Sequence, residues 1–260
     1  WDSFNLTVDN YSIGLISAAG TPKYDAGLTR RKLKGYFSDG QVYQRNDRLL
    51  NGPEEEIEIL TNSASVSTYS GQFIFDFKGH FYAPTTGTYT FYITSDDTSY
   101  FYINYKAERT YLTTYDQTTT WNTGTKSFSI TLQAGSYTPI RVVQENISST
   151  GFLTFEFEGP GITRTTDGTG YFFTKRFEVT GSNTAWLSEK IASGARIGFG
   201  STEPSKIEKW HDIAAIYSNT SLSVSDEIMD IISPNTPYCI QEMRFIYYGL
   251  YDLTSTQNSI

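Results

Sequence analysis

Gly87-Thr-Tyr-Thr-Phe-Tyr-Ile-Thr-Ser-Asp-Asp-Thr-Ser-Tyr-Phe-Tyr-Ile103 holds two aromatic-rich runs separated by two adjacent carboxylates, Asp96 and Asp97. Thr88–Thr94 and Tyr100–Tyr105 have the composition of strands, because aromatic and β-branched side chains suit a pleated, half-buried surface. Successive side chains on an extended backbone point to opposite faces, so a regular strand would not aim both carboxylates at one point. A tight turn could. Asp is a common turn residue, and a carboxylate pair on a turn is also a natural ligand set for a hard cation such as calcium. From the dipeptide alone, a solvated hairpin turn and an ion site both stand open.

The two-residue period continues outward from this stretch. Phe73, Phe75 and Phe77 alternate with Ile74, Asp76 and Lys78, the signature of a half-buried strand. Pro84-Thr-Thr-Gly87 marks a turn. Ser127–Leu132, Ile140–Gln144 and Phe152–Phe157 add short strands, and a polar insertion from Thr113 to Lys126 surrounds Trp121. This spacing predicts an all-β sandwich or barrel. Residues 1–35 mix strand-like pieces with Gly and Pro and end in Arg30-Arg-Lys-Leu-Lys34, which reads as a solvated basic face. Leu49-Leu-Asn-Gly-Pro-Glu-Glu-Glu56 reads as an acidic loop. Beyond Tyr171 the character changes. Ser205–Ser218 places Ile207, Trp210, Ala214 and Tyr217 at helical spacing, and Ser225–Ile232 is a second short helix with Ser225 as its N-cap. Met243–Leu250 reads as a strand. The expected organisation is a main domain over residues 1–173 and a small α+β C-terminal extension over 174–260.

Composition narrows the function classes. The net charge is −8, and no Lys/Arg cluster is dense enough to neutralise phosphates, which excludes nucleic acid as a partner. No run of 18 apolar residues exists, so no membrane insertion is expected. Only 18 % of residues are charged while 16 % are aromatic, a balance that suits an extracellular surface. Trp1 in place of Met points to a processed segment of a longer precursor. Asn5-Leu-Thr, Asn10-Tyr-Ser, Asn146-Ile-Ser and Asn219-Thr-Ser match the glycosylation sequon and support a secretory route. The single cysteine, Cys239, is expected as a buried thiol.

Other motifs point to chemistry less well. His80 and His211 have no Cys or His partner at metal-ligand spacing, which argues against zinc; His80 reads as a strand residue and His211 as a helix-surface residue. Gly194-Ala-Arg-Ile-Gly-Phe-Gly-Ser lacks the Gly-Lys-Ser/Thr ending of a phosphate loop and reads as a turn. Glu54–Glu56 and the Glu156/Glu158 pair raise the possibility of glycosidase carboxylates. Glu156 and Glu158, however, alternate with Phe155 and Phe157, which puts them on the solvent face of a strand.

From Gln72 to about Phe173 the chain resembles the PA14 superfamily, and within it the GLEYA/flocculin-type adhesin domains. Gly79-His-Phe-Tyr-Ala-Pro-Thr-Thr-Gly-Thr-Tyr-Thr-Phe91 is similar to the family's G-Y-F-x-x-P-x-T-G-x-Y-T-F segment. Ser95-Asp-Asp-Thr-Ser stands at the place of its Asp-Asp pair. Ala134-Gly-Ser-Tyr-Thr-Pro-Ile-Arg-Val-Val143 resembles a further strand, and Glu145-Asn-Ile-Ser-Ser-Thr-Gly151 stands where the family has its second calcium-binding loop. Asp167-Gly-Thr falls close to the family's end.

The resemblance implies a PA14-like β-sandwich with a cis peptide between the two Asp residues, which turns both carboxylates to one side. The implied calcium ligands are the side chains of Asp96, Asp97 and Asn146, with backbone carbonyls near Ser148 and Thr150. Sugar hydroxyls would complete an oxygen shell of six to eight. Trp121 lies in the insertion expected to rim the site, where an aromatic in so polar a loop would either stack on a sugar ring or cap its own loop. Tyr100 and Tyr102 are expected in the sandwich core. Asn146 lies in a sequon, and a ligating amide cannot also carry a glycan; the Asp pair upstream and Gly151 favour the ligand. The chain departs from flocculin domains in lacking their N-terminal cysteines and in carrying Thr150 where some members have tryptophan.

The function implied is that of a calcium-dependent lectin domain of a secreted or cell-surface adhesin. It would hold vicinal hydroxyls of a surface glycan or polysaccharide on bound Ca2+ without cleaving it, outside the cell at its surface or wall. Two alternatives stay open: a PA14 module of a larger toxin, viral spike or surface protein without lectin activity, and a carbohydrate-active enzyme carrying an inserted PA14 domain.

Overall fold

The computed structural model describes residues 4–35, 42–121, 123–148, 150–191, 195–225, 228 and 232–247. Its first strands are β1 (Phe4–Tyr11), β2 (Leu15–Ala26), β3 (Leu28–Lys34), β4 (Glu54–Leu60) and β5 (Val66–Ser70), with helix α1 (Val42–Asn51) between β3 and β4. Then come β6 (Phe73–Ala83), β7 (Gly87–Asp96), β8 (Ser99–Ile103), a single helical turn α2 (Tyr105–Glu108), β9 (Gln117–Thr119) and β10 (Lys126–Leu132). The chain continues through β11 (Ser136–Asn146), β12 (Thr150–Gly159), β13 (Ile162–Thr165) and β14 (Phe172–Ser182). It closes with β15 (Arg196–Phe199), β16 (Trp210–Ser218), β17 (Ser221–Val224) and β18 (Tyr238–Tyr247). Among the described residues no helix is long and apolar enough to cross a membrane. The chain divides into two compact units, residues 24–175 and residues 1–23 with 176–260.

The 24–175 unit is a β-sandwich of antiparallel sheets. One sheet runs in the order β4-β3-β6-β11-β8-β9. The other centres on β10-β7-β12, with β12 also pairing β13 and β5. The expected alternation is realised: Phe73, Phe75, Phe77 and Phe81 of β6 meet Tyr89, Phe91 and Ile93 of β7 and Leu153, Phe155 and Phe157 of β12 in one buried core. Phe81 sits edge-on to Tyr89, Phe91 and Phe157 at centroid separations of 5.3, 5.0 and 5.0 Å. Each such ring contributes about 1.5–3 kcal/mol by burial, with aromatic geometry adding to it.

The outer face of the β6 sheet is also covered. Leu49 of α1, Ala107 of α2 and Leu112 pack on Leu33, Ile74, Val143, Tyr100 and Tyr102. Tyr100 and Tyr102 are thus buried, but in this outer cluster and not between the sheets; Phe101 and Ile103 face the sandwich core. Helix α1 ends at Gly52-Pro53, where proline cannot continue the ladder. Its buried Asn46 mimics a backbone pair with Leu112, donating to the carbonyl and accepting from the N–H at 2.7 and 2.6 Å. Arg141 forms a bidentate pair with buried Asp76 at 2.6 and 2.7 Å and donates to Arg109 O at 3.2 Å. The cover is therefore tied to the sheet by polar bonds as well as apolar contact.

Two charged stretches differ from expectation. Arg30–Lys34 and Glu54–Glu56 are not a solvated face and a loop; they lie in paired strands β3 and β4. Arg30 pairs with Glu56 and Glu58, Arg31 with Glu54, and Lys32 with Glu55. Strand β4 is an edge with little burial, held by cross-strand ion pairs, so it shows no hydrophobic period to read.

The second unit contains the ladders β1-β18-β15-β16-β17, with β17 on the β14 residues Phe177–Thr180. Its own core gathers Trp186, Tyr238, Ile197, Ile213, Leu222, Val224 and Ile240. Trp186 Nε1 donates to the Tyr238 hydroxyl at 2.9 Å, and that hydroxyl donates to Ile13 O at 2.5 Å. Residues 1–23, placed by the sequence reading in the first domain, cluster with this unit. Its described residues hold strands and one 3-10 turn, Pro204–Lys206.

Of the helix expected over Ser205–Ser218, Trp210–Ser218 is strand β16 instead, and Ser205-Lys206 belong to the 3-10 turn. His211 and Ile213 alternate inward, and the Asn219-Thr220 turn brings β17 against it. His211 is accordingly a buried strand residue and not a helix-surface one. Gly194–Ser201 was expected as a turn, but Arg196–Phe199 within it is strand β15. The second expected helix, Ser225–Ile232, falls largely outside the described residues, as does the end of Met243–Leu250. Cys239 is buried, and burial pushes its thiol up.

Candidate functional site

Strand β7 belongs to one sheet and β8 to the other, so the chain crosses between sheets at Asp97-Thr98. The same crossing occurs from β11 to β12 at 147–149, from β9 to β10 at 120–125, and from β5 to β6 at Gly71-Gln72. In one sheet β8 lies beside β11 and β9, and in the other β7 lies beside β12 and β10. All four corners therefore gather at one end of the sandwich. Topology, and not proximity in sequence, brings Asp96-Asp97, Asn146–Thr150 and the Trp121 loop together.

The Asp96–Asp97 peptide bond is cis. Asp97 Oδ2 accepts the Ile147 N–H at 2.7 Å, which bonds the first corner directly to the second. Burial raises the Asp96 carboxyl above its ordinary value, and the Asp97 charge and a hydrogen bond with Asp97 push it the same way. Two like charges are thus held side by side at a half-buried position. Behind them, Gln144 Nε2 donates to Asp96 O at 3.1 Å, and the Ser95 hydroxyl donates to Asp97 O at 2.9 Å.

Asn146 is the last residue of β11 and is fully buried. Its Nδ2 donates to Gly71 O at 2.6 Å and to Ser148 O at 3.3 Å. With the amide nitrogen committed to two carbonyls at a buried position, there is no room for an attached glycan. The amide oxygen faces Gly151. A side chain there would collide with Asn146 Oδ1 and would stand 2.5 Å from Asp96 O, so only glycine lets the two corners close. Strand pairing puts Phe152 opposite Asp96 and Thr150 opposite Ser70, whose hydroxyls lie 3.3 Å apart. Ser148 and Thr150 are exposed.

Trp121 is 66 % exposed at the tip of the β9–β10 corner. The loop beneath it is pinned by Thr123, whose hydroxyl donates to Thr120 O at 2.7 Å and accepts from Thr120 N at 3.0 Å. Its ends are fixed on either side of the Asp pair: Thr119 stands opposite Ser99, and Thr125 bonds Thr94 at 2.8 Å. The loop thus flanks the carboxylates on the side away from Asn146.

Among the described residues no group of three or more His, Cys, Asp or Glu could hold a metal ion. The corner cluster offers a different set: two carboxylates, an amide oxygen and backbone carbonyls. These donors are all oxygen, the like charges of the Asp pair call for a counter-cation, and the set fits calcium in kind. The acidic alternatives are engaged elsewhere. Glu156 pairs with Arg164, and Glu158 accepts from the Tyr92 hydroxyl at 2.6 Å. The sequence reading missed Gly71, Ser95 and Gln144 as parts of this end. For Gln144 a signal existed: it is the polar residue in the inward series Ile140, Val142, Gln144.

No curated relative matches the chain by sequence. The A domain of epithelial adhesin 6 from Candida glabrata, in complex with Galβ1-3GlcNAc, is similar in structure at a TM-score of 0.49 and 16 % identity, over 62 % of this chain and 92 % of that one. The adhesin 9 A domain from the same organism, in complex with Galβ1-4GlcNAc, gives 0.48 and 18 % identity over 62 % and 96 %. A PA14 sugar-binding domain from an RTX adhesin gives 0.41 and 15 % identity over 57 % and 98 %. By sequence, residues 73–159 match the model of the GLEYA domain. That match runs from β6 through β12 and includes Asp96, Asp97, Trp121 and Asn146.

Proposed function

We propose that this chain is a calcium-dependent, glycan-binding adhesin module that works outside the cell. The observation that carries the reading is the closed pair of corners: Asp97 holds Ile147 N–H, while Gly151 lets Asn146 and Asp96 approach. Asp96, Asp97 and Asn146 would hold the ion through side-chain oxygens, with backbone carbonyls near Ser148 and Thr150. A calcium ion held there supplies a charge with open coordination positions for neutral oxygens such as sugar hydroxyls.

The residues of this chain do the rest. The carboxylates match the ion's charge, so a neutral ligand suits the remaining positions. Exposed Thr150 and Trp121 stand at the rim; an indole face gives a sugar ring an apolar surface for stacking. The Galβ-containing ligands of the Candida adhesin domains support a glycan as the class of partner. Nothing in this arrangement requires an acid, base or nucleophile, so the ligand is bound and not cleaved.

Calorimetric titration of calcium into wild type and Asp97→Ala tests the reading. Wild type should bind one ion, and the variant should show no binding at millimolar calcium while remaining folded. Its stability should drop by about 1–3 kcal/mol for the lost charge-assisted bond to Ile147. Equal calcium affinity in the two proteins would sink the assignment.

A further inference from the structure

Gln144 fills an inward slot of β11 and is fully buried. Its amide nitrogen donates to Asp96 O at 3.1 Å and to Glu145 O at 3.4 Å, while Oε1 has no hydrogen-bond partner among the described residues. On the adjacent strand, fully buried Ser99 stands opposite it. The Ser99 hydroxyl donates to Ser95 Oγ at 2.8 Å, and Ser95 Oγ donates to Asp97 O at 2.9 Å. Both backbone carbonyls of the Asp pair are thus held from inside the sandwich, one by an amide and one by a hydroxyl.

This layer is a poor choice for stability. A buried amide oxygen left without a donor costs about 1–3 kcal/mol. Leucine in the same slot would continue the series Ile140, Val142 and leave no oxygen stranded. Departures of this kind, where a local rule is broken at a cost, gather at functional sites. We propose that Gln144, with Ser95 and Ser99, is a positioning set that orients the Asp96 and Asp97 carboxylates toward one ion. This rests on the calcium reading above. The set acts through the backbone: each carboxylate is carried on a peptide unit whose carbonyl is anchored in the core, and Asp97 is fixed a second time through Ile147.

The test uses the full chain with Gln144→Leu and, separately, Ser95→Ala. Two quantities are read: the melting temperature without calcium, and the calcium affinity by calorimetric titration. Gln144→Leu should melt at or above wild type without calcium and should bind calcium about 10–100-fold more weakly, the range for partners that orient metal ligands. Ser95→Ala should weaken calcium binding in the same direction. A purely structural Gln144 would give the reverse pattern. The inference is overturned if Gln144→Leu fails to fold or melts below wild type, or if both variants bind calcium as wild type does. Absence of calcium uptake by wild type itself would overturn the underlying reading, and this inference with it.

Discussion

Gly151 is the residue on which the two corners close. Asn146 Oδ1 and Asp96 O occupy the space that a Cβ at this position would need. Gly151→Ala should therefore push Asn146 away from the Asp pair or open the β7–β12 rung beside it. Overpacking at such a contact costs about 1–3 kcal/mol. The expected outcome is a folded chain of lower melting temperature in which added calcium restores little of the loss. A variant that melts as wild type does and gains as much from calcium would contradict this role. Asn146 shows the same economy: its nitrogen fixes the β5–β6 corner through Gly71 while its oxygen faces Gly151.

At the scale of elements, β6 carries two surfaces with different consequences. Its Phe side chains build the sandwich core, while His80 lies among Tyr24 and the β11 and β14 rungs. Burial, with the charges of Lys175 and Lys78, pushes this imidazole down to about 4. The folded chain then refuses a proton that the unfolded chain accepts below its value of 6.5. Stability is thus present above pH 6.5 and falls as pH drops toward 4, by on the order of 3 kcal/mol across the window. Urea unfolding against pH should show this loss in wild type, and His80→Phe should flatten it. An unchanged acid limb in the variant would assign the loss to other groups.

Elements also show where sequence patterns stop being informative. Strands β7, β10 and β12 follow a two-residue period because one face of each meets the opposing sheet. Strand β4 has no buried face, so its Glu-rich sequence reads as loop until its ion-pair partners on β3 are known. The stretch Ile207–Tyr217 satisfies two periods: Ile207, Trp210, Ala214 and Tyr217 fit a helix, while His211 and Ile213, in β16, fit a strand. Its partners β15 and β17 decide between them, and pairing is not written in a local window. In the site, Asp96, Asp97 and Asn146 were legible through family resemblance. The buried bonds from Gln144, Ser95 and Gly71 were not, since they depend on which corners the topology stacks.

For the whole molecule, the sandwich supplies a rigid end on which four inter-sheet corners converge, and the proposed ion ties two of them. An ion bound only to the folded state stabilises it by mass action, about 2.7 kcal/mol at a hundredfold excess over its dissociation constant. The same ion is the proposed contact to the ligand, so occupancy of the site and recognition of glycan should rise and fall together. The most direct measurement is binding of the purified chain to a glycan array, run in millimolar calcium and again in EDTA. The account predicts a defined set of bound glycans in calcium and loss of that set in EDTA, with recovery when calcium is returned. Equal binding in both conditions, or no glycan bound in calcium by a folded chain, would contradict it.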